Sequence, residues 1–174
     1  MQKKSREVYC CYIKKNWYVN WCIMSKTYEG TSHIEINAPA KLCYDILCDF
    51  ERYPEWFKHV NSVDIQEYNQ EGRPSTVFYR FDVALKQGFT ILQTYTYDDE
   101  NLVLEFNAAG GDFKNSGGFF KFISQKDGPT RVEYMAHVTV GFPVPQRVVD
   151  YVVDYAMKEV LQNLKAEAEK GAGE

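Results

Sequence analysis

Side chains able to move a proton are few in this sequence, and they form no known catalytic set. The chain has three histidines, His33, His59 and His137. His33 shares a strand face with Glu35, and His137 shares one with Glu133, so both histidines are expected to point to solvent. His59 follows a segment rich in aromatic residues, and it is the histidine that we expect nearest to a pocket.

A second candidate is a pair of opposite charges, Arg80 and Asp82, two residues apart in a strand-like segment. Residues at this spacing project from the same face of a strand. On a solvent face the pair would contribute little to stability. Turned inward by a register irregularity, the charges would need partners and would become candidates for function. We expect the solvent face here, as for Glu105 and Asn107, and keep Asp82 and His59 as the residues to examine for catalysis.

The composition argues against several classes of protein. The sequence has no serine–histidine–aspartate order, paired-carboxylate signature, phosphate-binding glycine loop or metal-ligand spacing. Gly110-Gly111, at a predicted turn, and Gly117-Gly118, in a predicted strand, are interpreted as bends or a bulge rather than nucleotide loops. The net charge of −4 and the pI of about 5.5 argue against a general electrostatic attraction to nucleic acid or anionic membranes. We expect neither a metal nor a cofactor.

The cysteines and the termini suggest where the protein acts and where its domain lies. Cys43 and Cys48 are five residues apart, so they do not share a helix face, and we interpret the cysteines as reduced thiols of a cytoplasmic protein. Residues 1–23 hold five basic residues, one acid and three cysteines, unlike the rest of the chain. They are either an over-extended start, which we favour, or an appendage lying on the domain or a membrane surface. The domain is expected at residues 24–170, with a flexible tail at 171–174.

Hydrophobic periodicity predicts an α+β fold. Strands are predicted at residues 28–37, 60–68, 76–85, 89–97, 102–108, 113–124 and 130–141, and helices at 39–48, at 54–58 and over a long segment from Pro145. Pro54 is expected to keep Tyr53 out of the helical region. An uninterrupted run of strands followed by one long helix indicates an antiparallel sheet covered on one face.

One face of these strands is rich in rings and branched side chains. Alternation places the following residues toward the long helix: Val77, Tyr79, Phe81, Val83, Ile91, Tyr95, Leu104, Phe106, Phe120, Phe122, Val132 and Tyr134. The hydroxyls of Tyr79, Tyr95 and Tyr134 would each need a hydrogen-bond partner if buried, and a ligand or trapped water could supply it. This face therefore suits an apolar, oxygenated small molecule.

Two stretches resemble the START and polyketide cyclase/dehydrase (SRPBCC) superfamily, whose fold is the helix-grip. HIEINAPAKLCYDILCDFERYPEWFKHVNSVDI is similar to its opening strand and helices, and GPTRVEYMAHVTVGFPVPQRVVDYV is similar to its last strand, Val-Pro hinge and closing helix. The resemblance implies a curved antiparallel sheet of about seven strands wrapped on a long C-terminal helix, with two short helices after strand one. It also implies a cavity between them. The branch that it points to is that of the coenzyme-Q-binding proteins.

The resemblance further implies which residues line the cavity. The segment DFERYPEWFKHV, residues 49–60, is either a plug of core or the aromatic rim of a pocket, and the superfamily would place it at the seam between the short helices and the sheet. Plain core packing stays an alternative for Phe50 and Trp56. The implied cavity residues are Tyr53, Trp56, Phe57, Tyr79, Phe81, Ile91, Tyr95, Leu104, Phe106, Phe120, Phe122, Tyr134, Val149, Val153 and Met157.

These observations favour binding over catalysis. We expect a cofactor-free domain that binds a quinone, lipid, isoprenoid or polyketide-like molecule as a carrier, chaperone or sensor. One alternative is a cyclase/dehydrase-type enzyme without metal or nucleotide, in which a tyrosine, His59 or Asp82 moves protons. Another is a protein-interaction module with a ribosomal or membrane-enzyme partner. A transient membrane or protein partner is compatible with the sequence, no nucleic acid is expected, and the ligand and oligomeric state stay open.

Overall fold

Seven antiparallel strands form one open sheet in the computed structural model, which describes residues 26–83, 86–112, 115–126, 128–140 and 146–171. The strands are β1 (Lys26–Ile36), β2 (Val60–Tyr68), β3 (Pro74–Val83), β4 (Lys86–Asp98), β5 (Val103–Gly111), β6 (Gly117–Ile123) and β7 (Thr130–Val140). Their order across the sheet is β1-β7-β6-β5-β4-β3-β2, so β1 and β2 are the edge strands. The predicted antiparallel sheet is confirmed.

Three helices and a short 3-10 turn complete the described architecture. They are α1 (Ala40–Cys48), the 3-10 turn (Phe50–Arg52), α2 (Tyr53–Trp56) and α3 (Gln146–Gly171). The inward stripe of α1 is formed by Ala40, Cys43, Tyr44 and Leu47, which recur at helical spacing and are buried. Two short helices after the first strand and one long C-terminal helix are the arrangement of a helix-grip fold. None of the described helices has an apolar stretch long enough to cross a bilayer.

The aromatic segment after α1 differs from the prediction. The chain is already helical at Phe50, and Tyr53 has helical φ and ψ of −53° and −42°. Two contacts hold Tyr53: its ring centroid lies 5.4 Å from that of Phe50, and its hydroxyl donates to the Leu47 carbonyl oxygen at 2.5 Å. Burial therefore overrides the preference that Pro54 imposes on the residue before it. Pro54 falls in the first turn of α2, where its missing N–H costs no intrahelical hydrogen bond.

The end of β5 also lies further along the chain than predicted. The sequence indicates that this strand ends at residue 108, whereas β5 continues through Gly110 and Gly111. The register slips by one residue next to Leu92, as expected for the bulge that these glycines suggested. Gly111 has a φ of 94°, and a Cβ there would lie 2.4 Å from the Thr90 carbonyl oxygen. Both features require glycine at this position.

The described part of α3 is fixed against the β1 edge of the sheet. Its buried residues are Met157, Leu161, Leu164 and Ala168. Met157 packs on Gly30 of β1, where an added Cβ would lie 2.8 Å from the Met157 sulfur, so the missing side chain allows the close approach. Lys165 adds a polar contact, because its Nζ donates to the Glu35 carbonyl oxygen at 2.8 Å.

Candidate ligand-binding site

Two groups of aromatic side chains lie on the inner side of the sheet, the side that α3 covers. The first, called the end cluster, contains Phe50, Tyr53, Tyr79 and Tyr95. The rings of Phe50 and Tyr95 have centroids 4.3 Å apart, and those of Tyr53 and Tyr79 have centroids 6.0 Å apart. Phe50, Tyr53 and Tyr79 are buried. The first half of the aromatic segment is therefore a plug of core.

Each hydroxyl of the end cluster has a protein partner. The Tyr53 hydroxyl donates to the Leu47 carbonyl oxygen at 2.5 Å, and the Tyr79 and Tyr95 hydroxyl oxygens are 2.8 Å apart. Tyr95 donates onward to Gln93 Oε1 at 2.7 Å, which leaves Tyr79 as the donor to Tyr95. Burial raises the pKa of all three phenols, so they stay protonated at physiological pH. This cluster has no spare donor for a ligand.

The second half of the aromatic segment is partly exposed. Trp56 and Phe57 are only half-buried. Their rings stack with centroids 5.8 Å apart and planes inclined by 13°, and Trp56 meets the Tyr53 ring at 5.0 Å. The first rings of the segment thus form core, and its last rings form a partly exposed edge. That this edge is the rim of a pocket stays a prediction.

The second group, called the sheet cluster, contains Phe106 of β5, Phe120 of β6 and Tyr134 of β7. Phe120 and Tyr134 are register partners, and their rings stack with centroids 4.1 Å apart. The Phe106 ring lies 5.8 Å from Phe120. Tyr134 is half-buried, and its hydroxyl makes no hydrogen bond with a described residue. Desolvation raises the pKa of this phenol, so Tyr134 keeps its proton and can donate a hydrogen bond.

A row of small residues lies beside the sheet cluster. Phe106 is opposite Gly118, Gly118 is opposite Ala136, and Ala136 is opposite Gly30. Directly opposite residues share one face of a sheet, so all four positions point inward. Met157 covers Gly30. A Cβ added to Gly118 would lie 2.0 Å from the Met135 carbonyl oxygen, so glycine at this position allows β6 and β7 to approach closely beside the stacked rings.

The other predicted cavity residues lie in three different environments. Ile91, Leu104 and Phe122 are buried in the core of the sheet. Phe81 is half-buried, with its ring centroid 6.0 Å from that of Phe89. The side chains of Val149 and Val153 lie outside the described residues.

The two candidates for proton transfer come together at the surface. The Asp82 N–H donates to the His59 carbonyl oxygen at 2.9 Å, and His59 Nε2 lies 2.9 Å from Glu159 Oε1 of α3. Asp82 Oδ1 accepts the Gly88 N–H at 2.8 Å, and this bond is the main cause of the lowered pKa of the carboxyl. The contacts of these two residues join three parts of the fold: α3, the β3–β4 hairpin and the segment that follows α2. Nothing in the sequence relates Glu159 to His59.

The remaining polar candidates lie on the outer face of the sheet. His33, Arg80, Glu105 and Asn107 are exposed, as expected. His137 is half-buried on the same face, where its ring and the Asn107 side chain lie over Gly117. These residues are therefore remote from the rings of the inner face.

An open groove of about 520 Å³ lies where the sequence predicts no pocket, between α1, the 3-10 turn and the β2–β3 hairpin. None of the predicted cavity residues lines it. In one wall, Arg73 Nη1 lies 2.6 Å from Asp99 Oδ1 and 2.7 Å from Asp99 Oδ2. The Tyr44 hydroxyl donates to the same Oδ1 at 2.7 Å. Burial is the main reason that the pKa of Cys48 rises to about 12, so this thiol is protonated at neutral pH. No three His, Cys, Asp or Glu side chains among the described residues are grouped as a metal site.

Solved structures with this architecture come from several bacteria. A START superfamily protein from Mycobacterium smegmatis superposes with a TM-score of 0.75 at 22% identity, over 82% of this chain and 97% of that one. The Zhui aromatase/cyclase from a Streptomyces species superposes with a TM-score of 0.72 at 18% identity, over 83% and 94%. A protein from Thermus thermophilus superposes with a TM-score of 0.69 at 21% identity, over 83% of this chain and 99% of that one. At such identities the likeness concerns the fold.

Sequence comparison places the chain in a family. No curated protein sequence matches it significantly. The model of one protein family, described as polyketide cyclase / dehydrase and lipid transport, matches residues 36–165, from the last residue of β1 into α3. This match includes the aromatic segment, the end cluster and the sheet cluster. The chain belongs to the polyketide cyclase/dehydrase and lipid transport family.

Proposed function

We propose that the domain binds an apolar small molecule that carries an oxygen atom, and that it acts as a carrier, chaperone or sensor of that molecule. The observation that carries this proposal is the sheet cluster, in which the Tyr134 hydroxyl has no hydrogen-bond partner among the described residues. The rings of Phe120 and Tyr134 stack, and the centroid of the Phe106 ring lies 5.8 Å from that of Phe120. An apolar surface with one placed donor is the usual composition of a small-molecule site.

The position of the donor favours an oxygenated ligand over a plain hydrocarbon. The hydroxyls of Tyr53, Tyr79 and Tyr95 are already bound to protein acceptors. The Tyr134 hydroxyl has no hydrogen-bond partner among the described residues, and its side chain is only half-buried. It can donate a hydrogen bond to a carbonyl or hydroxyl oxygen of a ligand. Quinones, fatty acyl chains, isoprenoid alcohols and polyketides all offer such an oxygen, and a coenzyme-Q-like quinone combines it with a long apolar tail.

A cyclase-type reaction is the weaker proposal. It needs at least two polar side chains that meet the substrate with pKa values near the working pH. The titratable groups found on the described inner face are phenols whose pKa is raised by burial. His59 and Asp82, the other candidates, hold surface contacts to Glu159 and Gly88. The state of the phenols and the surface position of His59 and Asp82 therefore favour binding of a ligand over its chemical conversion.

The first experiment is native mass spectrometry of the protein, purified from its own host without detergent, followed by extraction and identification of lipids. The proposal expects one apolar, oxygen-bearing molecule per chain. The purified, delipidated protein would then be titrated with decylubiquinone, palmitic acid and hexadecane. Release of an altered product from a supplied polyketide would instead support the enzyme.

A variant series makes this test specific to the sheet cluster. Tyr134→Phe should weaken binding of decylubiquinone or palmitic acid by roughly tenfold, the equivalent of one hydrogen bond, while leaving hexadecane unaffected. Tyr68→Phe is the matched control, because that phenol is 58% exposed on β2. If Tyr134→Phe bound each of the three probes as tightly as the unchanged protein does, this result would contradict the proposed role of the Tyr134 hydroxyl.

A further inference from the structure

The groove between α1, the 3-10 turn and the β2–β3 hairpin has an apolar lining. Phe50, Ile65 and Pro74 contribute to it, and Tyr68 stands at its edge with 58% of its surface exposed. Among the described residues, Tyr68 is the large hydrophobic side chain that is most exposed to solvent. Phe50, which is 1% exposed, also belongs to the end cluster, so the groove adjoins that cluster. The volume of about 520 Å³ is within the range of small ligand sites, roughly 300–1,000 Å³.

The two cations that line the groove are already neutralised. Arg73 binds both carboxylate oxygens of Asp99, and its guanidinium carbon lies 3.7 Å from the centre of the Tyr97 ring. Lys41 is paired with Asp45 one helical turn further along α1. Neither cation is therefore available to hold an anionic ligand.

Two carboxylates of the groove have no such partner. Asp49 and Glu51 are exposed, and neither carboxylate makes a hydrogen bond or an ion pair with a described residue. They flank Phe50 in the chain, so they stand beside the apolar lining rather than away from it. With two cations and four carboxylates in its lining, the groove has a formal charge of −2. Its electrostatic complement is a cation with an apolar stem.

We propose that this groove is a docking surface for an arginine- or lysine-bearing segment of a partner protein. The cationic head of such a side chain would bind Asp49 and Glu51, and its methylene stem would lie on Tyr68 and Ile65. An exposed aromatic ring beside a cation adds a cation–π contact. The open shape of the groove admits one or two side chains of a segment that continues across the surface. This proposal is independent of the ligand on the inner face.

In the test, the full chain labelled with ¹⁵N is titrated with the peptide acetyl-Arg-Leu-Arg-amide. Binding is monitored through the backbone amide signals in two-dimensional NMR spectra. The peptide should shift the backbone amide signals of Asp49, Glu51 and Gly72, which border the groove. The double variant D49N/E51Q should weaken peptide binding at least fivefold, and so should Tyr68→Ala. Glu105→Gln is the matched control, because Glu105 is an exposed carboxylate on the outer face of β5. All the exchanged side chains are exposed, so the fold should be retained, as the dispersion of the amide spectrum will verify.

Other outcomes would overturn the proposal. Equal losses per removed charge, on a logarithmic scale, in the double variant and in Glu105→Gln would mean that the peptide senses only the overall negative charge. Spermidine binding as tightly as the peptide would mean a site for free amines, and binding of acetyl-Glu-Leu-Glu-amide would contradict the charge argument. Absence of amide shifts at millimolar peptide would exclude the docking surface. Retention of the inner-face ligand is measured separately in each variant, so a failure here leaves that function untouched.

Discussion

The ring of Tyr134 lies flat on the ring of Phe120, with centroids 4.1 Å apart and planes inclined by 3°. The two residues are register partners on β7 and β6, so the stack is produced by strand pairing and does not depend on a loop. Phe120 is 7% exposed. The sheet thereby holds the Tyr134 hydroxyl in a fixed position, which is what orientation of a bound ligand requires.

Replacing Phe120 by leucine should destabilise the domain by about 1–2 kcal/mol, because the ring stack and part of the buried area are lost. The measurement is the free energy of unfolding from urea denaturation. Phe119→Leu is the matched control, since Phe119 is the neighbouring residue on the outer face and is only half-buried. A loss at Phe119 as large as that at Phe120 would contradict the assignment of the inner face.

The direction of the hydrogen bonds in the end cluster leads to an asymmetric prediction. Tyr79 donates to Tyr95, which donates to Gln93. Tyr95→Phe should cost about 1–3 kcal/mol, because it leaves the buried Tyr79 hydroxyl without an acceptor. Tyr79→Phe should cost less, about 1 kcal/mol, because it leaves no donor unpaired. Urea denaturation of both variants checks this, and the reverse order would mean that the hydroxyl protons run the other way.

The contact between Gly30 and Met157 should appear as coupling in a double-mutant cycle. Gly30→Ala alone should destabilise the domain by about 1–2 kcal/mol, since the new methyl group would overlap the Met157 sulfur. Met157→Ala alone should cost about 2–4 kcal/mol through loss of a buried side chain. The double variant should be more stable than the sum of the single losses implies. Strictly additive losses in urea denaturation would show that the two residues do not touch.

Asp99 should make stability depend on pH in the acid range. Arg73 and Tyr44 lower the pKa of this carboxyl below its ordinary value of 3.8. A lowered folded-state pKa means that the carboxylate stabilises the fold above the unfolded-state pKa, and that this contribution disappears as the pH falls through the folded-state pKa. The side chain is 55% exposed, so solvent screening limits the effect to about 1 kcal/mol.

The check is a comparison of Asp99→Asn with the unchanged protein by urea denaturation between pH 7 and pH 2. The variant should be less stable at pH 7, and the difference should shrink as the pH falls below about 4, where the ordinary carboxyl pKa lies. Glu105→Gln controls for a general effect of removing one negative charge. A difference that stays constant over the whole range would show that the carboxylate contributes through packing alone.

The sheet and the long helix could be predicted because their signals are local. Alternation along β3 and β4 assigns Tyr79 and Tyr95 to one face, and a side chain on a strand can point only to one face or the other. The periodicity of α3 places Leu161 and Leu164 on one stripe in the same way. Both assignments hold in the fold, where Tyr79, Leu161 and Leu164 are buried.

The conformation of the aromatic segment was not predictable from the residues that compose it. Pro54 disfavours a helical Tyr53 locally, and this preference is overcome by contacts with Phe50 and with the Leu47 carbonyl oxygen. The same holds for the partners of the candidate site residues. Glu159 meets His59 only because α3 returns beside the segment that follows α2.

The sequence by itself determined the fold class, the inward face of each strand and the aromatic character of that face, because these depend on residue type and on periods of two and 3.6. The tertiary structure alone decided which tyrosine hydroxyls are satisfied and where the small residues of three strands align into one row. It also decided that Tyr44, Arg73 and Asp99 meet beside a groove. Such relations depend on strand register and on the packing of helices against the sheet, and no local pattern along the chain carries that information.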